Sequence, residues 1–258
     1  MDIIMVTNLT TSQPPIFLKL LSHTLRWRLL LALVQSDLRV MELIQMVEQP
    51  QNLVSYHLQR LRKEKLVEVR RSGADSREVY YSLNLGEIHR LYVTAGEMLH
   101  PALGETTDNN ASLDSLPTTR VLFLCTHNSA RSQMAEGILN AVAKGKIEVF
   151  SAGTEPAQVH PLAIRVMQEM NIDIRHHRSK PLDEFLDQTF DYIITVCDRA
   201  RESCPVFPGD PTQIHWSFPD PSAVEGSEGV RIEAFRNTAI QLNTRINYLL
   251  MMMRREEG

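Results

Sequence analysis

Apolar side chains recur at helical spacing from Ile16 to Val34, and a shorter amphipathic run covers Val40 to Val47, so both stretches are predicted helical. After a break at Gln49-Pro50 comes Gln51-Asn-Leu-Val54-Ser-Tyr-His-Leu58-Gln-Arg-Leu61-Arg-Lys63, where Val54, Leu58 and Leu61 mark one buried face. Its other face carries Gln51, Asn52, Ser55, Tyr56, Gln59 and Arg60, the side-chain types that read base edges and phosphates from a major groove. The period then changes, and Leu66 to Leu83 reads as two alternating strands around a Gly-containing turn, the shape of a wing. Beyond it, Leu99 to Thr119 is polar and turn-rich, with acidic but no basic residues from Ala102 onward, which predicts a linker. The pattern resumes with the apolar strand Val121-Leu-Phe-Leu-Cys125, a helix-like run Gln133 to Asn140, and a second apolar strand, Ile193-Ile-Thr-Val196. A last helical run, Arg231 to Met253, is expected to close on the sheet. The chain therefore divides into residues 1–100, a linker over 101–119, and residues 120–258, each outer part large enough to bury its own core. The first part reads as an α+β winged helix-turn-helix. The second reads as an α/β open parallel sheet with Cys125 at the carboxyl end of its first strand, the edge where such sheets bind ligands.

Charge supports nucleic-acid binding only locally. The 258 residues carry a net charge of −4, yet residues 60–77 hold seven Lys/Arg against three Asp/Glu, with Arg70, Arg71 and Arg77 on the hairpin. No signal peptide and no apolar run of membrane-spanning length is evident, so the expected location is cytoplasmic, where thiols stay reduced unless they do redox work. Only three cysteines occur, Cys125, Cys197 and Cys204, and three cannot all pair. Neither a close Cys pair nor a His pair at ligand spacing supports a metal site, and the adjacent His176 and His177 would point apart. No metal and no bound cofactor are expected.

The chemistry is concentrated at Cys125-Thr-His-Asn-Ser-Ala-Arg131-Ser132, where a strand delivers a cysteine into a loop that leads into a helix. Loop N–H groups and the positive helix end favour a thiolate and bind a tetrahedral anion, and the Arg131 fork can pair two of its oxygens. Two further cysteines after a neighbouring strand point to thiol–disulfide exchange, because a phosphatase needs only nucleophile, arginine and general acid, whereas a reductase must supply two electrons.

Cys125-x5-Arg131-Ser132, Ser151-Ala-Gly153, the Cys197-x6-Cys204 pair and His215-Trp-Ser-Phe-Pro-Asp220-Pro221 together resemble the thioredoxin-coupled arsenate reductases, which share the low-molecular-weight tyrosine phosphatase fold. The resemblance covers about residues 120–258. It implies that Cys125 attacks arsenate held by the loop and Arg131, that Ser132 keeps the sulfur as thiolate, that Asn128 braces the loop, and that Asp220 is the general acid. It further implies that Cys197 attacks the Cys125 adduct, releasing arsenite, and that Cys204 resolves the resulting disulfide. The Cys197–Cys204 disulfide is then presented to thioredoxin on a mobile segment, for which Pro205, Pro208, Pro211 and Gly209 suit a rearranging loop better than a rigid helix. Some members hold a potassium ion; the matching positions here are Asn128, Glu136, Ser151 and, where a carboxylate is expected, Lys180, so the ion is expected to be dispensable.

A second resemblance, across about residues 14–100, is to the ArsR/SmtB-type winged-helix repressors. It rests on Leu18-Lys-Leu-Leu-Ser-His-Thr-Leu-Arg-Trp-Arg-Leu-Leu, Val54-Ser-Tyr-His-Leu-Gln-Arg-Leu-Arg and Glu78-Val-Tyr-Tyr-Ser-Leu. It implies a homodimer through the N-terminal domain, with Glu87 to Leu99 as partner surface, on a double-stranded operator with pseudo-palindromic half-sites. Arsenic-responsive members bind arsenite through cysteines before the recognition helix, but Val40 to Val47 has none, and His57, His89 and His100 form no cluster. The inducer and its site, the operator sequence and any coupling of the two halves stay open. The leading reading is a bifunctional protein that reduces arsenate and binds operator DNA. The alternatives are a tyrosine phosphatase fused to a regulator, although the His215 to Pro221 segment lacks the tyrosines typical of its acid loop, or a non-enzymatic repressor that senses an oxyanion or oxidant.

Overall fold

A computed structural model describes residues 13–75, 77–99, 118–143 and 145–255. Described residues within 1–34, 41–68 and 83–108 form one compact unit; those within 35–40, 69–82 and 109–258 form the other. Most of the expected linker lies outside the described residues.

In the first unit the apolar run Ile16 to Val34 is two helices, α1 (Ile16–Leu21) and α2 (Thr24–Ala32), rather than one. The break is satisfied locally. The buried Arg26 guanidinium donates to the carbonyls of Leu20 (2.8 Å) and Lys19 (2.9 Å) at the end of α1, and His23 Nδ1 accepts the Leu25 N–H to start α2. The next helices are α3 (Val40–Val47) and α4 (Gln51–Lys63). Helix α4 ends where Lys65 takes φ 57° and the Leu66 N–H returns to the Leu61 carbonyl, a left-handed cap made without glycine. Val54, Leu58 and Leu61 of α4 are fully buried with Leu29 and Leu43, as the apolar spacing predicts. Helix α5 (Leu85–Glu97) is capped by the Asn84 side chain on the Glu87 N–H.

A small sheet has the order β1-β3-β2, with β1 (Leu38–Arg39), β2 (Val67–Arg71) and β3 (Val79–Leu83). Strands β2 and β3 form the expected hairpin, and β1 pairs antiparallel with β3.

The second unit is built on a parallel sheet of order β5-β4-β6-β7, comprising β4 (Thr119–Cys125), β5 (Ile147–Gly153), β6 (Tyr192–Thr195) and β7 (Thr212–His215). Val121 to Leu124 are all buried, the continuous apolar run of a strand covered on both faces. Helix α6 (Arg131–Ala143) packs on β4 and β5, and α9 (Glu228–Arg255) packs on α6 and on α7 (Pro161–Glu169). Short α8 (Asp198–Glu202) lies against β4 and β6. Because the chain runs from β4 outward to β5 and later returns to place β6 on the other side, the switch in strand order falls between β4 and β6. Crevices at carboxyl ends form there; Cys125 ends β4, and Cys197 lies two residues past the end of β6.

Within this unit, residues 36–37 cover the end of edge strand β7: the Asp37 N–H donates to the His215 carbonyl (2.8 Å), and Ser36 Oγ accepts the His215 N–H (2.7 Å). The buried Asp37 carboxylate accepts the Ser217 N–H and pairs with Arg245 at 2.8 Å. Among the described residues no helix is long and apolar enough to cross a membrane.

Candidate active site

The loop from Cys125 to Ala130 is fixed from below by Gly153 at the end of β5. A Cβ on Gly153 would sit 2.6 Å from the Thr126 carbonyl and 2.8 Å from the Asn128 nitrogen, so only glycine permits this approach. Asn128 adopts φ 44°, which turns its N–H toward the nucleophile. That N–H donates to Cys125 Sγ at 3.1 Å, and Ser132 Oγ lies 2.9 Å from the same sulfur. Asn128 hydrogen-bonds to groups on several sides of the loop. Its amide nitrogen donates to Ser132 Oγ (2.9 Å) and Ser151 Oγ (2.8 Å), while its side-chain oxygen accepts from Gln133 (2.8 Å) and the Lys180 N–H (2.8 Å).

Burial pushes the Cys125 thiol up, the nearby Cys197 sulfur adds to this, and Arg131 and the Ser132 hydrogen bonds pull the other way. The sequence reading had only the lowering half of this balance. The donors remain the groups that make the thiolate attainable, since each stabilises only the charged sulfur.

Arg131 opens α6 and reaches across to the segment after β7. Its guanidinium donates to the Phe218 carbonyl (3.0 Å) and to Asp220 Oδ2 (2.8 Å), while Asp220 Oδ1 accepts the Ser222 N–H. Arg131, Asp220, Cys197, Thr126 and His127 line one cavity of about 460 Å³. Cys197 caps α8, its sulfur 3.4 Å from both the Ala200 N–H and Thr126 Oγ1. The cavity therefore brings together a cation able to hold an oxyanion, a carboxyl able to transfer a proton and the thiol of Cys197.

The third thiol does not reach it. Cys204 is half-buried beside a separate cavity of about 110 Å³ bordered by Ser36, Thr195 and Ile214, and burial pushes its thiol up. Residues 204–211, with Pro205, Pro208, Pro211 and Gly209, form a loop between α8 and β7, and the stretch from Cys197 to Cys204 is helical over Asp198–Glu202. Asp198 is the residue that sequence reasoning missed. Burial opposes its charge, but hydrogen bonds from His215, the Gly73 N–H and Ser217, with the Arg70 charge, outweigh this and hold it well below the usual carboxylate range. An acidic residue directly after Cys197 was the available signal.

Lys180 Nζ lies 3.0 Å from Glu136 Oε2, both side chains are 12% exposed, and Ser151 Oγ also donates to that carboxylate. An ammonium already neutralises the one carboxylate of the set, so these residues do not fit a potassium ion. Among the described residues no cluster of His, Cys, Asp or Glu has metal-site geometry.

Of the expected nucleic-acid residues, Gln51, Asn52, Ser55, Tyr56, Gln59 and Arg60 all project exposed from α4, with Arg60 donating to Tyr56 Oη (3.2 Å). On the hairpin Arg71 and Arg77 are exposed, and Arg77 pairs with Asp75 (2.8 Å). Arg70 differs: its guanidinium is committed to Asp198 and the Ser217 carbonyl.

Comparison with known proteins matches two family models to separate parts of the chain. The low molecular weight phosphotyrosine protein phosphatase family matches residues 120–257, and the MarR family matches residues 21–78. The expected winged-helix type is thus found, under a neighbouring family's name. An arsenate reductase of Halalkalibacterium halodurans is 38% identical over 126 residues, 49% of this chain and 91% of that protein. Arsenate reductase 1 of Staphylococcus epidermidis is 40% identical over 121 residues, 47% of this chain and 92% of that protein. A solved arsenate reductase in its oxidised state is 32% identical, covering 53% of this chain and 99% of its own, with a TM-score of 0.47.

Proposed function

We propose, from the premise that this chain belongs to the low molecular weight phosphotyrosine protein phosphatase family, that it is an arsenate reductase regenerated by thioredoxin and fused to an operator-binding regulator. The reductase occupies residues 120–258, the regulator residues 1–100, with residues 101–119 between them. Relatives named arsenate reductase at 38% and 40% identity support the reaction. The observation that carries it is the second thiol, Cys197, on the cavity that also holds Arg131 and Asp220. A phosphatase has no use for it.

In this reading an arriving arsenate takes the Arg131 guanidinium from Asp220, freeing that carboxyl to deliver a proton to the leaving oxygen. The Cys125 thiolate forms the sulfur–arsenic bond and water departs. Cys197 then attacks the Cys125 sulfur; the electron pair of the sulfur–arsenic bond passes to arsenic, and arsenite leaves a Cys125–Cys197 disulfide. Cys204 attacks Cys197, restoring Cys125, and thioredoxin reduces the Cys197–Cys204 disulfide. No metal or prosthetic group enters the scheme, and Lys180 makes potassium unnecessary.

The MarR-family match and the exposed polar face of α4 support double-stranded DNA as a partner, with Gln51, Asn52, Ser55, Tyr56, Gln59 and Arg60 in the groove and Arg71 and Arg77 toward phosphates. The exposed Tyr92, Met98 and Leu99 of the α5 region support a homodimer through the first domain.

The test is NADPH consumption by the full chain with thioredoxin and thioredoxin reductase, with and without arsenate, beside hydrolysis of p-nitrophenyl phosphate. Arsenate-dependent turnover is expected. Ester hydrolysis without it makes the protein a phosphatase, and silence in both leaves a sensor-regulator.

A further inference from the structure

Arg70 and Gly73 belong to the hairpin segment that packs as part of the same compact unit as the cysteines. One Arg70 Nη2 lies 2.7 and 2.6 Å from the two Asp198 oxygens, its Nε donates to the Ser217 carbonyl (3.0 Å), and the Gly73 N–H donates to Asp198 Oδ2 (2.7 Å). Ser217 Oγ (2.7 Å) and His215 Nε2 (3.2 Å) complete the set around a carboxylate whose side chain is 2% exposed. Half of the donors that make this buried charge tolerable come from the hairpin. The hairpin is fastened at a second point, where Tyr80 packs on the His215 ring at 5.1 Å.

Asp198 is the first residue of α8, and Cys197 is its cap. A disulfide needs Cα atoms within about 4.4–6.8 Å of each other. The five helical residues between them, Asp198–Glu202, alone span about 7.5 Å. The sulfurs of Cys197 and Cys204 also border two different cavities. Joining them requires α8 to unwind, and unwinding moves Asp198 away from the donors that hold it.

We propose that the β2–β3 hairpin, through Arg70 and Gly73 on Asp198, is a latch that holds the Cys197 helix in its dithiol conformation and lets go when Cys197 and Cys204 join. Arg70 is in this sense a positioning residue for the relay. By reciprocity, a disulfide that breaks the latch is itself disfavoured by the latch. Relay oxidation then frees the hairpin and its guanidinium for another anion, such as a nucleic-acid phosphate.

The proposal rests on the reading in which Cys197 and Cys204 form a disulfide, and its test separates the two. Full-length Cys125→Ser protein, with and without Arg70→Met or Arg70→Lys, is equilibrated in glutathione buffers, and its thiols are counted by mass-tagged alkylation. Cys197 attacks glutathione disulfide and releases one glutathione; Cys204 attacks the mixed disulfide and releases the second, so two electrons pass to glutathione. Removing the guanidinium is expected to raise the disulfide equilibrium constant about tenfold, which is about 30 mV toward a more negative potential, with Arg70→Lys between. Amide exchange of residues 69–75 is expected to be faster in the disulfide than in the dithiol. Equilibrium constants within twofold of each other, or unchanged exchange, overturn the latch while leaving the disulfide standing. Failure of any disulfide to form at the most oxidising ratio overturns the relay and the latch together.

Discussion

The loop around Cys125 and the helix after Cys197 sit at the ends of neighbouring strands and are built on opposite principles. The first is finished before substrate arrives. Asn128, Ser132, Ser151 and Gln133 satisfy one another in a closed network, Gly153 presses against the backbone from below, and only the Arg131–Asp220 contact is available for exchange. The second is held in place by groups from elsewhere in the chain, and in the proposed relay it comes apart for its chemistry. Preorganisation serves an anion of fixed shape. In the proposed relay Cys197 meets two partners in turn, which calls for a conformation that is stable but not committed.

The comparison breaks most visibly at Cys197. Replacing it with Ser is expected to abolish thioredoxin-linked turnover with arsenate while leaving the Cys125 loop folded, as read by stoichiometric binding of phosphate to the variant; full turnover without Cys197 would make the relay unnecessary. The next largest effect is at Arg131. Arg131→Lys keeps the charge but loses the planar fork, and kcat/KM is expected to fall roughly 10²–10³-fold, the range for losing one preorganised oxyanion donor.

A smaller and more diagnostic change is Ser132→Ala. Burial already raises the Cys125 thiol and the Ser132 hydrogen bond counteracts it, so deleting the hydroxyl raises it further. Less thiolate is present at any pH below the new value. The acid limb of the kcat/KM profile should move to higher pH, with a loss of roughly tenfold near neutrality, the worth of one hydrogen bond to a charged group. A limb that does not move would mean that Ser132 is not a donor to the thiolate.

The smallest expected effect is none at all. Exchanging sodium for potassium at constant ionic strength should leave turnover within twofold, because the Lys180 ammonium already occupies the Glu136 carboxylate. A several-fold rise would show that an ion enters despite it.

What could be read from the sequence follows the same contrast. The Cys125 loop was legible because its residues are contiguous and the spacing from Cys125 to Arg131 has one sensible geometry. Helix α4 was legible to the residue, since Pro50 and the Val54, Leu58, Leu61 stripe set both its start and its buried face. The helix over Asp198–Glu202 was not, because five residues carry no periodicity and nearby prolines argue for a loop. Half of the donors that hold Asp198 are Gly73 and Arg70, more than a hundred positions away, and a polar hairpin arginine looks the same in sequence whether it faces phosphate or a buried carboxylate. The split between α1 and α2 was hidden for a related reason: Arg26 reads as one more polar position, yet its side chain ends a helix.

The most direct test of the three-thiol account is to treat the reduced full chain with arsenate in the absence of thioredoxin, alkylate, and map the disulfide by mass spectrometry of peptides. A Cys197–Cys204 disulfide with Cys125 alkylated, formed in step with one arsenite per chain, is the predicted result; arsenite released with all three cysteines alkylated, or no arsenite at all, would contradict it.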